Sequence, residues 1–507
     1  MSLMQCMLIG AVNEILNPTT RSEALESDHA EGWAKAMHEE YNSLLRNETW
    51  ELVPRPKRSQ GQRQNSILTS VWVLVTKSNE KGEVERLKAR LAIREFMQKF
   101  VVRIESVRLV LLISMFLGLE CKRVHLVTAF LNGELNNVVI YMEQPKGYED
   151  GTDRVCRLRK NLYGLKQASK KSGKRVVFLT VYVDDILLAG ISADTEQVIK
   201  QLALHFKLKP LGRIRHRLGM EINYLPGCKL CLSQKASIER LAEKYGLSIA
   251  KPVHSPQYHH EKTANIETNE KKAIVRSLQY LVACTRPDQA NAVRTLVRYM
   301  SAYTAENYRA AQRVVRYALT IKEMGLVYIV SPEFPVLDTF CDADHQSCPE
   351  TSRSVTGFLL RLHGKMWMWK SHPQRRVSED ICGSELVASC ECTKMTVWAR
   401  ELMLELGFGD QLLHVLLNFD NQIPLRLVRH MAKHARFINE YVQGKELDVT
   451  YVPSIENIAD VFTNALGPAE FERQRSKLNV EDVPGAWAVV ATTPKGEMDK
   501  DIGMQEV

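Results

Sequence analysis

The stretch "VFLTVYVDDILLAG", Val177–Gly190, sets two adjacent acids, Asp184 and Asp185, inside an otherwise apolar run. Runs this rich in Val, Leu and Phe read as strands covered on both faces, which makes the acids the turn of a hairpin. Carboxylates crowded beside a core repel each other and resist desolvation unless something positive binds them. A divalent cation meets that need: hard ions such as magnesium take oxygens from one or two carboxylates and leave positions open for phosphate oxygens. This is a phosphoryl-transfer site in outline. A surface hairpin with an acidic tip is the alternative the residues leave open.

The chain has 507 residues, 45% of them hydrophobic, enough for two to four domains with cores of their own. A net charge of +9 suits a polyanionic partner without requiring one. Eleven cysteines follow no regular framework and no secretory signal opens the chain, so reduced thiols inside the cell are expected. The apolar runs Val107–Leu119 and Val176–Ile191 are too short to span a bilayer or carry charges within them. Cys228 and Cys231, with His254, His259 and His260 downstream, offer zinc ligands, but the histidine spacing fits no standard pattern. "YLPGCKLCLSQ" reads more simply as strand, Pro-Gly turn, strand.

Along the chain, residues 1–20 read as a tail. From Glu23 to Leu45, Trp33, Met37, Tyr41, Leu44 and Leu45 share one helical face. A hairpin follows, "ILTSVWVLVTK" to "ERLKARLAI", then an apolar helix near Ser106–Leu119 and a strand near Val124. The polar run Tyr258–Lys272 marks one boundary and Ser331–Pro335 a second, with helical patterns between them. Beyond lie strands and a long helix from Ser384 to Leu406, the pattern of an α/β domain with a mixed sheet, and from Glu472 the chain reads as a polar tail.

This last region carries acids of its own. Asp342 lies in the strand "TFCDAD", Glu385 near a helix start, Asp420 at the end of "VLLNFD" and Asp460 in a short final helix. Gathered at one sheet edge, they could surround two metals that clamp the attacking and leaving oxygens of an in-line displacement. Acids at such places also serve as helix caps or salt-bridge partners, and spacing alone does not bring them together.

At this point the sequence resembles a known family. "LVTAFLNGEL", "VIYMEQPKGY", "VCRLRKNLYGLKQAS", "VYVDDILLAG", "RLGMEI", "QYLVACTRPD" and "CDADHQS…SRSVTGF" follow one another in the order seen in copia-type retrotransposon polyproteins. The resemblance runs from about Glu23 to about Phe471 and covers the family's reverse transcriptase and ribonuclease H, so the chain is expected to be a polyprotein fragment or remnant. It implies a multidomain α+β and α/β fold: a right-hand polymerase of fingers, palm and thumb over residues 21–257, a linker and helical connection over 258–335, and a ribonuclease H-like mixed-sheet domain over 336–471. The implied cofactor is magnesium, two ions per site. The implied partners are an RNA template, a DNA primer, an RNA·DNA hybrid and deoxynucleotide triphosphates, met in the cytoplasm, within element particles, or in the nucleus.

Roles follow residue by residue from the resemblance. Asp184 and Asp185 match the metal-binding pair of the family's YVDD turn. Phe130 matches the aromatic under the nucleotide sugar, Lys88 and Arg90 the basic residues facing the triphosphate, and Gly164 and Lys166 the segment lining nucleotide and template. Asp342, Glu385, Asp420 and Asp460 match the four acids of ribonuclease H.

The chain also departs from the family. His125 stands in "HLVTAFL" where the family has the aspartate of "DVKTAFL", and an imidazole lone pair replaces two oxygens able to bridge hard cations. The family's "DYxETFxPV" segment is missing near Phe100–Val102, and a longer stretch is missing between Ser169 and Lys174. "ICGSELVAS" replaces "SSTEAEY", and "HMAKHARFINEY" shortens another ribonuclease H segment. An impaired polymerase is therefore expected. A non-catalytic remnant that binds nucleic acid through runs such as Lys170–Arg175 and Arg213–Arg217 is the second reading. An integrase reading finds neither its His and Cys pattern nor a separate acidic core.

Overall fold

The structure is a computed structural model and describes residues 18, 20–56, 67–78, 84–93, 103–126, 141–159, 177–182, 184–256, 269–301, 303–330, 337–408, 415–420 and 433–486. Contacts divide the chain into two units, residues 1–107 with 119–214, and residues 108–118 with 215–507.

In the first unit the single helix expected from Glu23 to Leu45 is two, α1 (Arg21–Glu26) and α2 (Ala30–Arg46). The break falls at Ser27, which is extended and whose hydroxyl donates to the Ala24 carbonyl at 2.8 Å. A hydroxyl that satisfies a helix carbonyl locally competes with the next helical turn. α2 turns Trp33, Met37 and Leu44 inward. After β1 (Trp50–Pro54), the expected hairpin forms from β2 (Ser70–Ser78) and β3 (Val84–Ile93), and its Trp72, Leu74 and Leu91 complete a core with the α2 stripe.

Helix α3 (Ile104–Phe116) passes most of its residues to the second unit. The first unit resumes with β4 (Glu120–Leu126), β5 (Tyr141–Met142), β6 (Arg154–Leu158), β7 (Phe178–Tyr182), β8 (Asp185–Gly190), α4 (Ser192–Ala203) and β9 (Leu208–Arg213). β7, β8, β4 and β9 lie in that order in an antiparallel sheet. Val124, Ile186 and Leu188 pack under Val198 and Ile199 of α4, so the β8 part of the run quoted above is buried and β7 partly so, and its two acids stand where β7 turns into β8.

The second unit opens with β10 (His216–Arg217), β11 (Met220–Leu225), β12 (Lys229–Ser233), and helices α5 (Lys235–Lys244), α6 (Asn269–Cys284), α7 (Ala290–Arg298) and α8 (Ala305–Thr320). The β11–β12 turn is the strand, turn, strand read over Cys228 and Cys231, with Cys231 buried in β12. After β13 (Met324–Ile329) comes the mixed sheet: β14 (Leu337–Asp344), β15 (Val355–Leu362), β16 (Lys365–Pro373), then α9 (Ile381–Glu405), β17 (Val415–Phe419), α10 (Lys433–Gln443) and β18 (Asp448–Tyr451). Its strand order is β16-β15-β14-β17-β18; β16, β15 and β14 run antiparallel to one another, while β17 and β18 continue parallel to β14. α9 packs across β14 and β15.

The polar tail expected from Glu472 onward is corrected for residues up to 486. α11 (Pro468–Lys477) continues past that point, and β19 (Val480–Asp482) pairs with β13, Leu326 facing Val480. Phe471, Leu478, Val480 and Val483 are buried among charged neighbours, too sparse a set to show a period in sequence.

Arg108 of α3 is buried in the second unit and holds it together. Its guanidinium donates to the carbonyls of Trp367 at 2.8 Å, Ala283 at 2.5 Å and Cys284 at 2.9 Å, and lies 3.8 Å from the Trp369 ring centre. Two of those carbonyls belong to the last turn of α6, where a cation also meets the helix dipole. Arg108→Met removes every one of these donors, and the full chain is expected to lose about 3 kcal/mol in urea unfolding. Among the described residues, no helix is long and apolar enough to cross a membrane.

Candidate active sites

Three acids of the mixed sheet meet. Asp342 lies on β14, and Asp420 directly follows β17, each two residues past the paired Phe340 and Asn418 of these parallel strands. Crevices at the carboxyl ends of parallel strands are where such sheets bind ligands. Glu385 comes from the second turn of α9, whose start is capped by Asp380 accepting from the Gly383 amide at 2.5 Å. Gln374 holds the same helix start, donating to the Ser384 carbonyl at 2.9 Å. One oxygen from each of Asp342, Glu385 and Asp420 lies within 4.8 Å of the others.

Burial sets the electrostatics of this group. It pushes the Asp342 carboxyl up to about 7, against a hydroxyl donated by Thr463 and with help from the charges of Asp420 and Asp460. Glu385 is pushed up to about 9, first by burial and then by Asp342 and Asp420. Its Oε2 is buried and has no hydrogen-bond partner among the described residues. A buried carboxylate with one undonated oxygen, grouped with two further carboxylates, fits a divalent cation.

Asp460, the fourth expected acid, stands beside this group and outside it. It sits on a 3-10 turn, Ile458–Phe462, with its Oδ1 accepting from the Asn464 amide, and burial raises its carboxyl. Asn457 fastens the turn to β14, donating to the Cys341 carbonyl at 3.0 Å, and Ser371 of β16 donates to the Phe462 carbonyl at 2.5 Å.

Gly357, opposite Asp342 on β15, lets the turn approach: a Cβ there would lie 2.7 Å from Thr463 Cγ2 and 2.8 Å from Phe462 Cβ. Gly357→Ala is expected to push the turn away, costing about 1–3 kcal/mol of stability in a thermal melt. Asn457, Thr463, Asn464 and Gly357 were not singled out from the sequence; "ENIADVFTNAL" shows turn-forming residues but not which strand they dock on.

The first acidic pair has different company. Asp184 and Asp185 are half-buried at the β7–β8 turn, as read. His125 on β4 is directly opposite Asp185 in register, its ring nitrogens 3.9 Å from Asp184 Oδ2 and 3.8 Å from Asp185 Oδ1. Arg90, on the same face of β3 as Lys88, reaches Asp184 at 3.0 Å. Arg123 binds Asp185 through a guanidinium fork, at 2.7 Å to Oδ2 and 2.9 Å to Oδ1. Phe130, Gly164 and Lys166 lie outside the described residues, as do His259 and His260.

The profile of the family described as "Reverse transcriptase (RNA-dependent DNA polymerase)" matches residues 47–172 and 168–259, the region that holds the β7–β8 acids. A "Retrovirus-related Pol polyprotein from transposon TNT 1-94" of Nicotiana tabacum is 30% identical over 91% of this chain and 39% of its own length. The chain is similar to copia-type retrotransposon Pol polyproteins along nine-tenths of its own length. A Pol polyprotein from transposon RE2 of Arabidopsis thaliana is 29% identical over 92% of this chain and 35% of its own. The chain thus spans little more than a third of these Pol relatives. An uncharacterized mitochondrial protein of Arabidopsis thaliana, 31% identical, matches 44% of the chain and is itself covered over 94%. Among solved structures, ribonuclease H1 of Halobacterium salinarum covers 25% of the chain and 95% of its own, at 16% identity and a TM-score of 0.19.

Proposed function

We propose that this chain is a reverse transcriptase and ribonuclease H segment whose working chemistry is hydrolysis of the RNA strand of an RNA·DNA hybrid. The observation that carries the reading is the convergence of Asp342, Glu385 and Asp420 from a strand, a helix and a strand end, with Glu385 Oε2 buried and undonated. These three would hold magnesium, with Asp460 beside them. A divalent ion there supplies a Lewis acid and lowers the pKa of a bound water.

The chain's own residues prepare for this in three ways. Thr463 fixes the direction of Asp342, and Asn464 that of Asp460. Burial favours the protonated forms of Asp342 and Glu385, so loading a cation there releases protons. Lys and Arg side chains would neutralise hybrid phosphates, while the 2′-hydroxyl marks the RNA strand.

In the same reading the β7-β8-β4-β9 sheet is a polymerase palm and the β2–β3 hairpin belongs to its fingers, followed by a helical connection and a ribonuclease H-like domain over residues 336–471. Template, primer and deoxynucleotides are the partners of the family's polymerase, and His125 makes that activity weak here.

The test offers labelled RNA·DNA hybrid, single-stranded RNA and duplex DNA to purified full-length chain with magnesium. Cleavage confined to the RNA of the hybrid supports the reading. Intact hybrid after incubation with demonstrably folded protein leaves a non-catalytic remnant.

A further inference from the structure

The family reading assigns Asp184 and Asp185 to divalent metal, and the residues around them do not fit one. Asp185 offers both oxygens to Arg123: Oδ1 accepts from Nε at 3.1 Å and Nη2 at 2.9 Å, and Oδ2 from Nη2 at 2.7 Å. Asp184 Oδ2 accepts from Arg90 Nη2 at 3.0 Å. The register explains the reach. Arg123 faces Leu187 across β4 and β8, so Asp185 is its diagonal neighbour on one face of the sheet, while His125 occupies the directly opposite place.

A guanidinium fork matches a carboxylate in shape and does not give up its proton, so it persists at any ordinary pH. Two carboxylates and two guanidinium groups also sum to zero charge, where a two-metal cradle has to be strongly negative. An incoming ion would have to break the Arg123 fork and the Arg90 contact and then share the space with the displaced cations.

We infer that Arg123 and Arg90 have closed this site, converting the acid pair from metal ligands into an internal ion-pair clamp. Arg123, and not His125 alone, excludes divalent ions. Asp185 now ties β8 to β4, and Asp184 ties the turn to β3. The inference rests on the family reading of the two acids, and it holds whether or not the C-terminal acids cleave a hybrid.

The test uses the full chain carrying Asp342→Asn, which silences the C-terminal acids, with tightly bound Mn²⁺ counted by electron paramagnetic resonance. The background chain is expected to bind none. Adding His125→Asp should leave the count at zero, whereas adding His125→Asp with Arg123→Gln should raise it by at least one. In chelator, Asp185→Asn should lower the thermal midpoint of the otherwise unaltered chain by several degrees, because Arg123 loses its charged partner.

Tight Mn²⁺ in the background chain that Asp185→Asn removes would overturn the inference, as would recovery by His125→Asp alone or no gain from the double substitution. A rise in midpoint on Asp185→Asn, the mark of relieved like-charge repulsion, would also overturn it. Should Asp185→Asn fail to fold, the counts in chains that keep Asp185 still decide. Failure of the ribonuclease H reading would show separately, as absent Mn²⁺ in the chain with Asp342 intact.

Discussion

Asp342→Asn is expected to reduce hydrolysis of an RNA·DNA hybrid by about 10³-fold and, in the same protein without metal, to raise the thermal midpoint by several degrees. The two effects have one cause. Asp342 is buried, and its ionised form is opposed by burial and by Asp420, Asp460 and Asp344. That opposition is the binding energy a divalent ion would collect. Removing a carboxylate from such a site forfeits several kcal/mol of charge stabilisation, and each 1.36 kcal/mol is tenfold in rate. Asparagine keeps the shape and can still accept from Thr463, but it carries no charge. Without metal, it should therefore relieve on the order of 2 kcal/mol of strain above neutral pH. Hybrid cleavage and a thermal melt in chelator read the two halves. A variant that loses activity and stability together would point to misfolding instead.

The second large effect is the pH dependence of the metal-free protein. Unfolded carboxylates titrate near pH 4, whereas Asp342 and Glu385 are pushed up to about 7 and about 9 in the fold. Between those limits the folded state holds more protons than the unfolded state, so stability falls as pH rises. The contribution of these groups is fully present below about pH 4 and is lost as pH climbs through the folded values. Chelated protein should accordingly melt several degrees lower at pH 8.5 than at pH 5.5. Magnesium should reverse the trend, because it binds the ionised carboxylates and its affinity grows as their protons leave. Melts across this range, with and without magnesium, check both signs; Glu385→Gln should flatten the metal-free curve.

The apolar run around Asp184 and Asp185 was legible because a strand hairpin packed on a core needs a run rich in Val, Leu and Ile, and two adjacent acids stand out within it. Asp342, Glu385 and Asp420 could be placed on a strand, a helix start and a strand end, since each follows from local pattern. Their meeting could not. It depends on β17 lying parallel beside β14 and on α9 crossing β14 and β15, pairings that no local periodicity encodes. Asp460 illustrates the same limit: it sits on a turn oriented by Asn457, Gly357 and Ser371, and it turns one oxygen to Asn464.

The clamp on Asp185 was equally hidden. Arg123 reads as an ordinary strand residue until the β4–β8 register makes it a diagonal neighbour of Asp185. His125 was visible as a substitution, but its consequence depended on what else surrounds the acids. The break at Ser27 and the folding of residues 472–486 escaped for a simpler reason: one side-chain hydrogen bond, and a few apolar residues among charges, leave no period to read.

The most direct measurement is the number of Mn²⁺ ions bound per chain at pH 8, for the unaltered protein and for Asp342→Asn. At least one tight ion in the first and none in the second is the predicted result. Equal counts in the two proteins would contradict the claim that Asp342, Glu385 and Asp420 form a metal site.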